Sequence, residues 1–88
     1  MQFSKPLRER VKRGFITCSV RIWHRPRVKV GNRYRCEDGA IEIDAIEEIT
    51  LNDITPELAV ESGFNGRSEL LAVAKHGLGT QVYLVRFH

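Results

Sequence analysis

Four side chains that can bind a ligand or move a proton alternate along one short stretch of the chain. They are Thr17, Ser19, Arg21 and Trp23. Apolar residues stand between them, and this period of two predicts a strand over 15–24 with one apolar and one functional face. A guanidinium can fork onto a phosphate or a base edge, and an indole can stack on a base, so the set suits a nucleotide. The alternative is that Trp23 covers a barrel end and that Arg21 pairs with Glu61 or Asp44.

A basic loop follows this strand. Residues 24–29 read His-Arg-Pro-Arg-Val-Lys, and the proline favours an extended, exposed segment. The expected use of Arg25, Arg27 and Lys29 is contact with phosphates. A merely solvated loop is the alternative.

A short basic helix is predicted before the strand, over residues 5–13. Ser4 is a suitable N-cap, Pro6 lies in the first turn and Gly14 is a stop. The cations on the polar face of this helix are Arg8, Lys12 and Arg13. Two interpretations are open for this face: it is solvated, or it binds phosphates.

Charge is divided unevenly along the chain. Residues 1–36 carry eleven Lys/Arg against Glu9 alone, a net charge of +10, whereas residues 37–88 carry three Lys/Arg against ten Asp/Glu, a net charge of −7. Such polarity favours a polyanionic partner for the basic part. The other interpretation is that the two parts attract each other across the fold.

Turn signals define the middle of the chain. Gly31-Asn32 predicts a turn before a strand over 33–36, and Asp38-Gly39 predicts a hairpin into a strand over 40–51. In that second strand Ile41, Ile43 and Ala45 are expected to point inward.

Two helices and a strand are predicted for the last third. Thr55 and Pro56 begin a helix that runs to about residue 62 and stops at Gly63. After an inward-facing Phe64, a second helix is expected over 68–76, with Gly77 as its stop. Its buried side is predicted to hold Leu70, Leu71 and Val73. Residues 81–87 are rich in β-branched and aromatic types and predict a closing strand.

This order predicts one small α+β domain spanning residues 1–88. The chain has 88 residues and neither a repeat nor a Ser/Gly linker, so nothing suggests an internal boundary. We expect a mixed sheet curled around a small core, with the last strand central beside the first. The helix over 5–13 and the strand over 15–24 should then frame one cleft.

Several function classes have no support in the sequence. The two cysteines, Cys18 and Cys36, form no CxxC pair, and there is no metal-ligand cluster, Ser/His/Asp order or Gly-rich phosphate loop. We therefore expect no metal and no cofactor. No apolar run approaches about 18 residues and no signal peptide is recognisable, so a cytoplasmic location without membrane attachment is expected.

Three stretches resemble the ASCH family of the PUA-like superfamily. That family's Gly-x-Lys-x-x-Glu-x-Arg motif is matched in spacing by residues 14–21, where Gly14 and Arg21 agree and Ile16 and Ser19 replace the Lys and the Glu. Residues 49–64 are similar to the segment that ends in the family's Gly-Phe, and residues 82–87 resemble its final strand. The resemblance implies a PUA-like small mixed β-barrel with an N-terminal helix and two short helices before the last strand.

The resemblance also implies RNA or modified nucleotides as ligands, and some family members are enzymes. Amidohydrolases of the family deacetylate N4-acetylcytidine with a Lys, a Thr and a Glu, and other members are reported to cleave RNA. Carried over here, the Lys position is Ile16, the Thr position falls on Ser19 and the Glu on or beside Glu61. Because isoleucine cannot transfer a proton, this activity is put in doubt, with Lys12 as a candidate substitute.

Three functional hypotheses follow. The leading one is a non-catalytic module that binds single-stranded or modified RNA, or a nucleotide-like ligand, through a basic cleft. The second is a hydrolase acting on RNA or a modified nucleoside, with Ser19, Arg21 and Glu61 as catalytic candidates. The third is a regulatory domain whose basic face meets an acidic protein. For the first, the expected binding residues are Arg8, Lys12, Arg13, Thr17, Ser19, Arg21, Trp23, Arg25, Arg27 and Lys29.

Overall fold

The computed structural model describes residues 3–36, 38–74 and 79–88. These residues form three α-helices and four strands in the order predicted from the sequence. The helices are α1 Lys5–Lys12, α2 Pro56–Glu61 and α3 Arg67–Ala74; the strands are β1 Cys18–Trp23, β2 Arg33–Cys36, β3 Gly39–Ile49 and β4 Gln81–Phe87. A short 3-10 turn, Leu51–Asp53, lies between β3 and α2. The α+β class is therefore confirmed.

The four strands make one sheet in the order β1-β4-β3-β2. The last strand is central and pairs with the first, as predicted. All three pairings are antiparallel, so the described sheet is antiparallel rather than mixed. Strand β1 lies at one edge of the sheet.

A bulge in β3 bends the sheet. Ile43 pairs with Phe87 and Ala45 pairs with Arg86, so Asp44 is an extra residue between two neighbouring pairs. Such an insertion increases local bending and twist, and the sheet curls into half a barrel. It also reverses the alternation of side chains, so the predicted inward position of Ala45 is wrong: Ala45 is exposed and Ile46 packs against the core.

The sheet carries a hydrophobic layer on each face. Residues from α1 and the ends of β3 and β4 form the first layer, which includes Phe3, Val11, Ile16, Ile43, Val85 and Phe87. The second layer lies under α2 and α3 and includes Cys18, Val20, Ala59, Leu70 and Leu84. Both faces of β1 are therefore covered, and Cys18, Ser19 and Val20 are all buried. The face predicted to be open for function is turned toward the first layer.

The segment before β1 differs from the predicted strand. Residues 15–17 lie outside β1, because the amides of Phe15 and Ile16 both donate to the carbonyl of Arg10 and continue the end of α1. Ile16 is buried, whereas Phe15 points into solvent. The position that carries a Lys in the family motif is thus a core position here.

The two later helices begin close to the predicted residues. In α2, Gly63 has a φ of 97° just beyond the helix end, as expected for a stop. In α3, Leu70 is buried and Leu71 is half-buried, but Val73 is 50% exposed, so its predicted burial is wrong. The second layer contains Leu70, Leu71 and Ala74 of α3 and does not include Val73. The predicted stop at Gly77 lies outside the described residues.

Replacing Thr55 by alanine should destabilise the fold by about 1 kcal/mol, the usual loss for an N-cap. The Thr55 hydroxyl accepts a hydrogen bond of 3.1 Å from the Leu58 amide, and alanine would leave that amide without its cap. Urea denaturation measures the change, and Thr55→Ser is the matched control because it keeps the acceptor. Equal stability of the alanine variant and the native chain would contradict the assigned cap.

Candidate functional site

A cleft of about 160 Å³ lies along the exposed edge of the sheet. Its wall includes five consecutive residues, 19–23, of the edge strand β1. Because side chains alternate along a strand, these residues bring both faces of the sheet to the cleft. Ser4 and Leu7 from the start of α1 close one side, and Ser62, which follows α2, and residues of α3 such as Leu70 close the other. The cleft predicted between the first helix and the first strand is therefore present.

Arg21 is the one charged residue among the described residues that line this cleft. Its side chain is half-buried, its Nε donates to the Ser19 hydroxyl at 2.8 Å, and its guanidinium carbon lies 5.0 Å from the centre of the Phe3 ring. Burial lowers the pKa of the Arg21 guanidinium, because desolvation disfavours the charged form. An anion in the cleft would offset that desolvation.

Trp23 both lines the cleft and packs against the sheet. Its ring lies 6.0 Å from that of Tyr83 at an angle of 36°, and it contacts the first hydrophobic layer. Packing against Tyr83 holds the indole in place and leaves it half-buried. The sequence-based alternative of a structural role for Trp23 therefore has support, and the same contact fixes the ring as a wall of the cleft.

The cations of α1 do not line the cleft, which corrects the idea of a uniformly basic cleft. Arg8 donates to the carbonyl of Phe3 at 2.9 Å and so positions that ring. Lys12 pairs with Asp38 at 2.5 Å, and this hydrogen bond holds the pKa of Asp38 below its ordinary value. Arg13 pairs with Glu9 at 2.8 Å. The helix meets the cleft through Ser4 and Leu7 because its apolar side faces the protein.

The basic loop directly follows the cleft wall. His24, Arg25, Pro26 and Arg27 are exposed and line a shallow groove. Beyond them, Val28 is buried and the Lys29 amide donates to the Tyr34 hydroxyl at 3.0 Å, so the far end of the loop is anchored. Thr17, at the opposite end of the predicted set, is exposed and does not line the cleft in the described part of the chain.

Internal pairing takes up little of the basic charge. Between described residues, three ion pairs involve Lys or Arg, and two of them, Lys12–Asp38 and Arg33–Glu42, join the basic part to the acidic part. Arg25, Arg27 and Lys29 have no ion-pair partner among the residues the structure describes. Two of the described ion pairs therefore agree with the interpretation that the two parts attract each other, whereas the loop cations are not part of these pairs.

The catalytic candidates are not brought together. Ser19 and Arg21 meet on one face of β1, whereas Glu61 lines a separate acidic groove with Glu47, Glu57 and Arg86 on the side of α2. The neighbour of Glu61, Ser62, is the C-cap of this helix and lines the cleft. The sequence does not predict Ser62 and Phe3 as cleft residues, because neither a helix-end serine nor a lone aromatic near the start gives a site signal.

One group of potential metal ligands was also missed. Glu42, Asp44 and His88 lie together at the end of β4, with ligand atoms within 4.8 Å of one another. The His88 Nδ1 contacts Asp44 at 2.7 Å, and Glu42 faces Arg33 at 3.2 Å. The hydrogen bond between His88 and Asp44 and the ion pair of Glu42 with Arg33 explain this arrangement, so we assign no metal to it.

Comparison of the chain with models of protein families, with curated proteins and with solved structures gave no match. Within residues 3–36, 38–74 and 79–88, no helix has the length and apolar character that crossing a membrane requires.

Proposed function

We propose that this protein is a non-catalytic module of the ASCH, PUA-like type that binds RNA or a nucleotide-like ligand. The observation that carries the proposal is the position of Arg21. This half-buried cation donates to Ser19 and is the one charged residue among the described residues that line the cleft. A guanidinium that loses hydration is suited to an anion or to the acceptor edge of a base. Trp23 lines the same cleft, and the cations of the loop follow it directly in the chain.

The size of the cleft limits what it takes in. Pockets that enclose a whole small ligand measure about 300–1,000 Å³, whereas this cleft measures about 160 Å³. We therefore propose that one base enters the cleft and that the sugar-phosphate backbone runs outside it. Arg25 and Arg27 lie on the adjoining loop and would contact the phosphates. The cytoplasmic location expected from the sequence is part of this proposal.

The enzyme hypothesis has less support. The position of the family Lys is Ile16, which is buried in the core, and Lys12 is paired with Asp38 outside the cleft lining. Glu61 lies on the acidic groove. No proton-transfer group stands beside Ser19 among the described residues of the cleft, and so we do not propose a reaction.

The salt dependence of RNA binding tests the proposal. Each lost phosphate contact to a single strand reduces the slope of log K against log salt by about 0.7, so Arg25→Ala should flatten the slope by about that amount. Arg33→Ala is the control, because it removes the same charge from an exposed side chain that faces Glu42. Fluorescence anisotropy with a labelled oligoribonucleotide at several salt concentrations gives both slopes. Absence of binding at low salt, or equal slopes for both variants and the native chain, would contradict the proposal.

A further inference from the structure

Phe15 presents an aromatic ring to solvent. It is 72% exposed, the highest value among the large hydrophobic residues that the structure describes as exposed. The ring belongs to neither of the two hydrophobic layers. Burial of apolar surface therefore does not explain why Phe15 is exposed.

The backbone of Phe15 is fixed rather than loose. Its amide donates to the Arg10 carbonyl at 2.9 Å, and the next amide, that of Ile16, donates to the same carbonyl at 3.2 Å. Gly14 makes the turn with a φ of 79°, which side-chain-bearing residues rarely adopt. Ile16, 1% exposed, anchors the other side. The backbone that carries the ring is therefore rigid. Because less of the chain must be ordered on binding, the loss of conformational entropy is smaller.

Three cations precede Phe15 in the chain, and the backbone carbonyl of one of them, Arg10, accepts the hydrogen bond of the Phe15 amide. Arg10 and Lys12 lie in the last turn of α1, and Arg13 follows as its C-cap. Arg10 is exposed and has no ion-pair partner among the described residues. An exposed aromatic plane beside cations is the arrangement with which proteins bind unpaired bases and their phosphates. A membrane surface fits less well, because Leu7 and Val11 of α1 face the protein and leave Phe15 without a neighbouring apolar stripe.

We infer that Phe15 is a stacking platform for an unpaired base, which makes single-stranded rather than duplex nucleic acid the ligand of this protein. The inference rests on the proposed function and adds a second base contact to the one in the cleft. In a duplex the bases stack on each other and offer no internal face to a protein ring. Phe15 therefore sets the preference for single strands.

Four variants test the inference in anisotropy titrations with an oligoribonucleotide of about 12 nucleotides, as a single strand and as a duplex. Phe15→Ala should weaken single-strand binding about five-fold to hundred-fold and leave duplex binding unchanged. Phe15→Leu should lose nearly as much, because it keeps the apolar bulk without the ring, whereas Phe15→Tyr should stay near the native value. Val60→Ala is the control, since Val60 is 58% exposed on α2.

The outcomes separate the two proposals. If Phe15→Ala binds single strands as well as the native chain does while Arg25→Ala binds them more weakly, the stacking inference is overturned and the proposed function stands. Equal loss for the single strand and the duplex would also overturn it. Failure of the native chain to bind any RNA would remove both proposals. Loss of binding to anionic vesicles in Phe15→Ala, with RNA binding unchanged, would assign the ring to a membrane surface instead.

Discussion

Replacement of Arg21 by alanine is expected to weaken RNA binding about ten-fold to hundred-fold. Hydrogen bonds that involve a charged group contribute about 1.5–3 kcal/mol, and this range corresponds to the expected loss of affinity. The variant removes the guanidinium that Ser19 holds at 2.8 Å and that faces Phe3. Anisotropy titration of the variant beside the native chain measures the loss.

Two further variants decide whether the loss comes from the ligand contact. Arg21→Lys keeps the charge but loses the planar fork, so its affinity should lie between those of the native chain and the alanine variant. Ser19→Ala keeps the guanidinium and removes only the group that orients it, so a smaller loss is expected. Circular dichroism must show an unchanged fold in each variant. If folded Arg21→Ala binds RNA with the affinity of the native chain, the proposed site is wrong.

Replacement of Gly79 by alanine is expected to lower the free energy of unfolding by about 3 kcal/mol. A Cβ built at this position would overlap both the Cα and the carbonyl carbon of Trp23. Those atoms belong to the backbone of the edge strand, so no rotamer change can relieve the overlap. Overpacking of this kind destabilises by about 1–3 kcal/mol and occasionally more.

Gly66→Ala is the matched control, because a Cβ at Gly66 meets no atom within 4 Å. We expect its stability to change by less than about 1 kcal/mol. The chain has one tryptophan, so fluorescence of Trp23 reports both unfolding and displacement of the cleft wall. The Gly79 variant should also bind RNA more weakly, since Trp23 must move. Identical stability and fluorescence in the two variants would show that Gly79 does not contact Trp23 in solution.

Local signals in the sequence predict most of the fold. Thr55 and Pro56 fix the start of α2, Gly63 fixes its end, and Asp38-Gly39 fixes the hairpin from β2 to β3. These signals work because each depends on a few neighbouring residues. The bulge at Asp44 depends instead on the pairing of β3 with β4, and no residue near it in the sequence predicts it. The wrong prediction for Ala45 comes from that difference.

The site is predicted only in part for the same reason. Alternation along 17–23 correctly places Ser19, Arg21 and Trp23 on one face of β1. It cannot show that Phe3 covers this face, or that Ser62 lines the cleft from just beyond α2, because both are long-range contacts. Composition alone also fails to separate the paired cations Lys12 and Arg13 from the loop cations. The exposure of Phe15 follows from the turn after α1, in which the amides of Phe15 and Ile16 both donate to the Arg10 carbonyl.

Charge segregation gives the account its physical basis. The basic part of the chain has a net charge of +10, and the described ion pairs join it to the acidic part at only two places. Exposed pairs of this kind contribute little to stability, so internal pairing is a weak reason for the segregation. The proposed polyanion at the loop and the end of α1, on a surface separate from the acidic groove beside α2, would account for the distribution.

The most direct test is a titration of ¹⁵N-labelled protein with a short single-stranded oligoribonucleotide, followed by two-dimensional NMR. We predict progressive shifts of the Trp23 indole N–H, the Arg21 Nε–H and the amides of residues 24–29. The amides around Glu47 and Glu57 on the acidic groove should not move. Absence of shifts at millimolar RNA, or shifts confined to the acidic groove, would contradict the account.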